Sequence, residues 1–168
     1  GLVYALGTLS SSFILVGFAK LIDHIDLRLY SFIISVGLTI ACLGMYLNYQ
    51  NIYFLFLIIF GLRFFGQGAM THAGETTMAR YFGENRGKAI SFASFGGQIG
   101  VMFLPIIIVI LLKVMDWKQV WLVSSFSILI IFFPLLFLSL QNQTNRHFKF
   151  KQNNSLFEIN KKWKTIEI

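Results

Sequence analysis

The chain has 168 residues, of which 56% are hydrophobic, 17% are aromatic and only 12% are charged, and its mean hydropathy is +0.70. A soluble domain carries about 25% charged residues, so this composition excludes an ordinary soluble globular protein. The formal net charge of +7 would suggest a nucleic-acid partner in a soluble chain. Loops on the cytoplasmic side of a membrane also collect Lys and Arg, so we expect a lipid bilayer and no nucleic acid.

Five apolar runs follow one another along the chain, each close to the roughly 20 residues that a helix needs to cross a bilayer. They predict transmembrane spans at 1–19, 29–50, 51–80, 88–112 and 118–140. Helices are expected because lipid offers no partner for free backbone groups, and the alternating polarity of a β-barrel is absent. The sequence therefore predicts an all-α integral membrane protein whose bundle occupies residues 1–140.

The charges between the spans predict the topology. Basic residues gather in the first break, in the third break and after residue 140, which places these segments and the C-terminus on the cytoplasmic side of the inner (plasma) membrane. Only Lys113 and Lys118 oppose this assignment. It puts Gly1 outside, and a span that starts there without a cap suggests that a preceding helix is missing.

Residues 141–168 form a basic cytoplasmic tail in this scheme. Ser155 and Glu158 have the spacing of a helix capping box, and the apolar residues that follow fall on one helical face. We expect an amphipathic helix over 155–168 at the membrane surface. A disordered tail is the alternative, because helices this short are marginal without a surface to bind.

Arg63 is the most informative single residue. It lies near the middle of the third span, where a charge costs about 3 kcal/mol or more and must face a partner or a watery cavity. Gln67 and Thr71 follow at intervals of one turn and would share its face. We expect these three residues to form a binding or coupling site. The alternative is a structural arginine that pairs with backbone carbonyls or with another helix.

Glycines cluster on the third and fourth spans, where small residues permit close helix contact. They are Gly61, Gly66, Gly68 and Gly74 on the third span, and Gly96, Gly97 and Gly100 on the fourth. Close helix packing is enough to explain these glycines, so they say little about function.

The sequence contains no evident group of residues that could catalyse a covalent reaction. His72 and Glu75 have i, i+3 spacing, so a metal pair or a proton relay is conceivable, but no third ligand stands at usable spacing. A solvated or satisfied pair near the interface is the simpler interpretation. Nucleophile-elbow, Walker, zinc and HExxH signatures are absent. We expect no enzyme activity, no catalytic residue, no metal and no cofactor.

Residues 19–28 read Ala-Lys-Leu-Ile-Asp-His-Ile-Asp-Leu-Arg. This stretch resembles the loop between the second and third helices of the major facilitator superfamily, written G-x-L-x-D-R-x-G-x-R. The positions that match are Leu21, Asp23 and Arg28. The positions that depart are Ala19, His24 and Asp26, which makes the loop less basic than the family pattern.

Further segments resemble the same family in the same order. Residues 62–68 are similar to the signature of the fourth helix, residues 79–89 with Gly96–Gly100 and Pro105 to the join into helix five, and Trp117-Lys118 to the turn before helix six. The Phe-Gly-Gln-Gly and Arg-Gly-Lys-Ala combinations are closest to the monocarboxylate and oxalate–formate type branch. On this alignment the chain holds helices two to six of a six-helix half-bundle.

The resemblance implies a fragment of a secondary transporter that moves a small solute by alternating access, with the missing second half as its partner. The solute would be a small organic anion such as a monocarboxylate, coupled to a proton or to an exchanged anion. Asp23, Arg28 and Arg80 would form a cytoplasmic gate. A non-transporting membrane scaffold or assembly subunit is the alternative, and an intramembrane enzyme that uses His72 and Glu75 is a third hypothesis.

Overall fold

A computed structural model describes residues 1–19, 22, 25–47, 51–82 and 85–139, without the side chains of residues 80, 81 and 139. The helices are α1 (Leu2–Ala19), α2 (Leu27–Leu47), α3 (Ile52–Gly61), α4 (Met70–Tyr81), α5 (Arg86–Leu112), α6 (Trp117–Ser127) and α7 (Phe133–Ser139). The part of the chain described here contains no strand. The predicted tail, with its amphipathic helix at 155–168, lies outside these residues.

Five of the helical stretches are long and apolar enough to cross a membrane, which confirms the predicted all-α membrane fold. They are Leu2–Ala19, Leu27–Leu47, Ile52–Ala79, Arg86–Leu112 and Trp117–Leu138. The third of these stretches runs through α3 and α4, and the last through α6 and α7. Consecutive spans therefore run in opposite directions, so that α2 begins and α7 ends at the same boundary of the bundle.

Polar residues in the breaks begin the next helices. Asn51 precedes α3, and its Oδ1 accepts hydrogen bonds from the backbone N–H groups of Tyr53 at 3.0 Å and Phe54 at 3.4 Å. Asp116 precedes α6, and its backbone N–H donates to Oε1 of Gln119 at 3.1 Å. Such caps satisfy donors that the first helical turn leaves without partners. They explain why the spans start at these two positions.

Two spans contain a π-helical segment. The first, Leu62–Ala69, joins α3 to α4, and the N–H of Met70 donates to the carbonyl of Phe65, five residues earlier. The second, Ile128–Phe132, ends two residues before Pro134 in the last span. Segments of this kind are rare and often occur at functional sites. The first one contains both Arg63 and Gln67.

A stripe of small polar residues packs α2 against α6. Ser31, Ser35 and Thr39 are buried at intervals of four residues along α2, and Ser125 of α6 is buried as well. The hydroxyls of Ser35 and Thr39 each donate to the carbonyl four residues earlier, at 2.8 Å. These hydroxyl groups therefore donate their hydrogen bonds within the helix. Because the side chains are small, they also let two membrane helices approach closely.

Three glycines of the third span pack it against α1 and α2. A Cβ built on Gly61 would lie 3.2 Å from Ala41, one on Gly66 would lie 3.2 Å from Leu38, and one on Gly68 would lie 3.1 Å from Leu15. Gly74 and the three glycines of α5 (Gly96, Gly97 and Gly100) have nothing within 4 Å of such an atom.

Of the five spans, α5 is the least buried within the described part of the chain. It contacts α4 and, less extensively, α6, and none of its residues is buried. By contrast, a hydrophobic cluster joins α2 to the third span through Tyr30, Ile34, Ala69 and Ala73. This cluster holds the residues that follow the first π-helical segment in place against α2.

Candidate functional site

A cleft of about 380 Å³ opens between α1 and the first π-helical segment. Its lining residues are Tyr4, Thr8, Ser11, Ser12, Leu15, Arg63, Gln67 and Gly68. We call it the polar cleft. Except for Leu15 and Gly68, each lining residue has a hydroxyl, an amide or a guanidinium in its side chain. Apolar residues dominate the surrounding part of the chain.

Arg63 is held on one wall of the polar cleft by two neighbours. Its Cζ lies 4.5 Å from the centroid of the Tyr4 ring, the geometry of a cation–π contact. Its Nη1 donates a hydrogen bond to Oε1 of Gln67, one turn further along. A guanidinium has five N–H donors, so this hydrogen bond leaves several donors that can meet a ligand.

The opposite wall consists of α1 hydroxyls whose protons are already used. Thr8 donates to the carbonyl of Tyr4 at 2.8 Å, and Ser11 and Ser12 donate to the carbonyl of Thr8 at 2.7 Å and 3.0 Å. A hydroxyl has one proton and two lone pairs, so these oxygens can only accept hydrogen bonds from the cleft. Acceptors and a tyrosine ring both favour a positive charge, which stabilises ionised Arg63 inside the bundle.

The depth of Arg63 agrees with a site inside the membrane. The residue lies eleven positions after Ile52 in a span of 28 residues. At 1.5 Å per residue this is about 16 Å from the start of the helix, near the middle of a hydrocarbon core of about 30 Å. Charges at this depth mark solute or ion pathways when they face a cavity.

The structure brings together two of the three residues predicted for this site. Arg63 and Gln67 are hydrogen-bonded and line the same cleft. Thr71 is exposed and is not among the lining residues. It lies two turns beyond Arg63, about 12 Å along the axis, which places it past Gly68 at the end of the cleft. Residues that share a helical face can still lie far apart along the helix axis, so the shared face did not by itself place Thr71 in the cleft.

The three residues expected to form the gate are not brought together in the described part of the chain. Asp23 lies outside the described residues, as does the side chain of Arg80. Arg28 is in the first turn of α2 and lines a separate groove between α2 and α7. The gate therefore stays a prediction.

His72 and Glu75 form no cluster with other possible metal ligands. Both ring nitrogens of His72 lie 3.5 Å from Oγ1 of Thr76, and Glu75 is exposed. Among the residues that the structure describes, no three His, Cys, Asp or Glu side chains stand close enough to hold a metal ion. Thr76, a neutral partner one turn away, is the contact observed for His72.

The α1 wall of the cleft was missed by the sequence reasoning. Thr8 follows Tyr4 by four residues, and Ser11 and Ser12 follow Thr8 by three and four residues, within a largely apolar first span. A polar stripe of this period marks one face of a helix. That stripe could have been found in the sequence, although its position opposite Arg63 depends on how α1 packs against the third span.

A comparison with protein-family models matches residues 1–167 to the model described as Major Facilitator Superfamily. Comparisons with curated proteins and with solved structures give no match. The family match covers all five spans and both helices that form the polar cleft. The chain is therefore a multi-pass integral membrane protein of the transporter type, and it belongs to the Major Facilitator Superfamily.

Proposed function

We propose that this chain is part of a secondary active transporter that carries a small organic anion, such as a monocarboxylate, by alternating access. The single observation that carries the proposal is the guanidinium of Arg63 in the polar cleft, in mid-span and next to Tyr4 and Gln67. A cation at this depth needs a counter-charge or a wet cavity. A substrate carboxylate that enters the cleft would supply the counter-charge.

The remaining donors of Arg63 suit a carboxylate better than a neutral solute. A planar guanidinium binds a carboxylate through two parallel N–H···O hydrogen bonds and gives up little hydration when it does so. The hydroxyl oxygens of Thr8, Ser11 and Ser12 can accept hydrogen bonds only, so they would receive donors on the rest of the solute. The cleft thus suits a small anion that also carries a hydroxyl or amide group.

The rest of the proposal follows the family resemblance. A proton or an exchanged anion would balance the charge of the solute, and a second half-bundle would face the polar cleft. Asp23, Arg28 and Arg80 would close the cytoplasmic gate, and Thr71 would lie beside the route. The C-terminus would be cytoplasmic, in the inner (plasma) membrane. The chain would need no cofactor and catalyse no covalent reaction.

The test is uptake of radiolabelled monocarboxylates (formate, acetate and lactate) by proteoliposomes that contain the full-length transporter. Arg63→Gln removes the charge but keeps polar atoms, and Arg86→Gln makes the same change at an exposed position at the start of α5. We expect Arg63→Gln to lower kcat/KM for the transported anion at least about 100-fold, because a bidentate ion pair at low dielectric is lost. Arg86→Gln should stay within about twofold.

Two outcomes would overturn the proposal. Uptake that survives Arg63→Gln would mean that the guanidinium has a structural role. Wild-type protein that takes up none of the anions, while it folds and inserts normally, would favour a scaffold or assembly subunit. Size-exclusion profiles and helical circular dichroism of each variant establish that folding is intact.

A further inference from the structure

A second cleft, of about 370 Å³, opens on the side of the bundle between α2 and α7. We call it the phenylalanine groove. It is lined by Arg28, Leu29, Ser31 and Phe32 of α2 and by Phe133, Leu136 and Phe137 of α7. It shares no lining residue with the polar cleft, although Arg28 is also one of the three residues proposed for the cytoplasmic gate.

The walls of the groove are apolar and open toward the surrounding membrane. The rings of Phe32 and Phe133 pack edge to face at 5.5 Å and form the floor between the two helices. Leu29, Phe32 and Phe137 are 51%, 46% and 57% exposed, so the groove is open along its length. An apolar groove on the surface of a membrane bundle is in contact with lipid chains, which fill it without cost to any polar group.

The charged end of the groove lies at the membrane boundary. Arg28 stands in the first turn of α2, which begins at Leu27, and α7 ends at Ser139 beside it. The guanidinium therefore lies at the depth of the lipid headgroups, with the phenyl rings further toward the bilayer centre. Its five donors allow Arg28 to keep a contact within the protein and still bind a phosphate in bidentate fashion.

We propose that the phenylalanine groove binds one anionic phospholipid, with the phosphate on Arg28 and an acyl chain along Phe32, Phe133 and Phe137. Charge complementarity selects the anionic class, because Arg28 is the charged residue of the lining and the chain as a whole carries a formal net charge of +7. A basic residue near the surface of an anionic membrane favours such lipids about fivefold. The bound lipid would join the start of α2 to the end of α7.

The experiment measures lipid retention by native mass spectrometry. The full-length protein is delipidated and incubated with phosphatidylglycerol or phosphatidylcholine of identical acyl chains. The wild type should retain phosphatidylglycerol about fivefold better than phosphatidylcholine. Arg28→Gln should remove this preference, and Phe137→Ala should weaken retention of both lipids, because it shortens the apolar wall without disturbing a buried residue.

Matched controls use residues outside the groove. Lys113→Gln removes a cation at the opposite membrane boundary, after α5, and Phe13→Ala removes a phenyl ring that is 79% exposed on α1. Both should behave as the wild type. Equal retention of the two lipids by the wild type would overturn the proposal, as would a loss in Lys113→Gln as large as that in Arg28→Gln. Displacement of the lipid by free glycerol phosphate would show that the groove plays no part, and would also overturn it.

Discussion

The polar cleft and the phenylalanine groove have almost the same volume, about 380 Å³ and 370 Å³, and each contains one arginine. Their walls differ completely. Arg63 faces a tyrosine ring, an amide and three hydroxyls, whereas Arg28 stands at the end of a wall of phenylalanine and leucine. Their depths differ as well, because Arg63 lies in mid-span and Arg28 in the first turn of a helix.

This difference shows that the identity of a membrane arginine does not decide its partner. In the polar cleft, hydrogen-bonding groups surround the guanidinium on several sides, so a small polar anion can be enclosed. In the phenylalanine groove a ligand can be polar mainly at one end, because apart from Arg28 and the buried Ser31 the wall is phenylalanine and leucine. An amphiphile fits that pattern, and the variants below test whether the two sites respond as differently as their walls suggest.

After the loss expected for Arg63→Gln, the largest effect is expected from a competing carboxylate in the polar cleft. Gln67→Glu would place a negative charge on the atom that already meets Nη1 of Arg63. Coulomb attraction between unit charges about 4 Å apart is several kcal/mol at an intermediate dielectric, and a loss of about 2 kcal/mol for the substrate raises KM about 30-fold. Proteoliposome uptake measures KM. Gln67→Met removes the amide without adding charge and should change KM less than about threefold; an unchanged KM in Gln67→Glu would mean that the anion does not meet Arg63.

The next effect concerns the packing that holds the polar cleft in place. A Cβ added at Gly37 would lie 2.6 to 2.7 Å from the ring of Phe65, which belongs to the same π-helical segment as Arg63. Gly37→Ala must displace this ring and should destabilise the protein by about 2 kcal/mol, as overpacked cores do. Thermal unfolding in detergent measures it. Gly97→Ala, where nothing lies within 4 Å, should leave the melting temperature unchanged, and equal shifts would contradict the packing described for α2.

The five spans could be predicted because they depend on local sequence. A run of about 20 apolar residues must form a helix in lipid, whatever its neighbours are. The hydrogen bond between Arg63 and Gln67 is local too, since residues four apart meet on a helix, and their spacing placed them on one face. The signature segments of the family are also short and linear, which is why the resemblance could be recognised.

Contacts between helices could not be predicted in the same way. The α5 glycines and the glycines of the third span look equivalent in sequence, yet a Cβ on Gly61 would contact Ala41 of α2, whereas one on Gly97 would have no atom within 4 Å. Tyr4 and Arg63 are 59 positions apart in sequence, and helical periodicity indicates contacts only within one helix, so it could not predict this pair. The π-helical segment depends on backbone hydrogen bonds that side-chain patterns do not record.

Lysine substitutions at both sites sharpen the comparison further. Arg63→Lys keeps the charge but loses the planar pair of donors that suits a carboxylate, so we expect uptake to fall about tenfold. Arg28→Lys should keep the preference for phosphatidylglycerol within about twofold, since a point charge at the membrane surface attracts an anionic headgroup nearly as well. Uptake and lipid retention are measured as above. Similar losses at both sites would show that the two arginines have the same role.

The smallest effect is expected at Tyr4, where two variants separate the contribution of the ring from that of the hydroxyl. The Cζ of Arg63 lies over this ring, and a partly exposed cation–π contact is worth about 1 kcal/mol. Tyr4→Leu removes the aromatic face and should raise KM about fivefold, because Arg63 then adopts orientations that do not suit the anion. Tyr4→Phe keeps the face and should stay within about twofold of the wild type. If Tyr4→Phe were as impaired as Tyr4→Leu, the hydroxyl rather than the ring would be the group that matters, and Tyr4 would contact the solute itself instead of orienting Arg63.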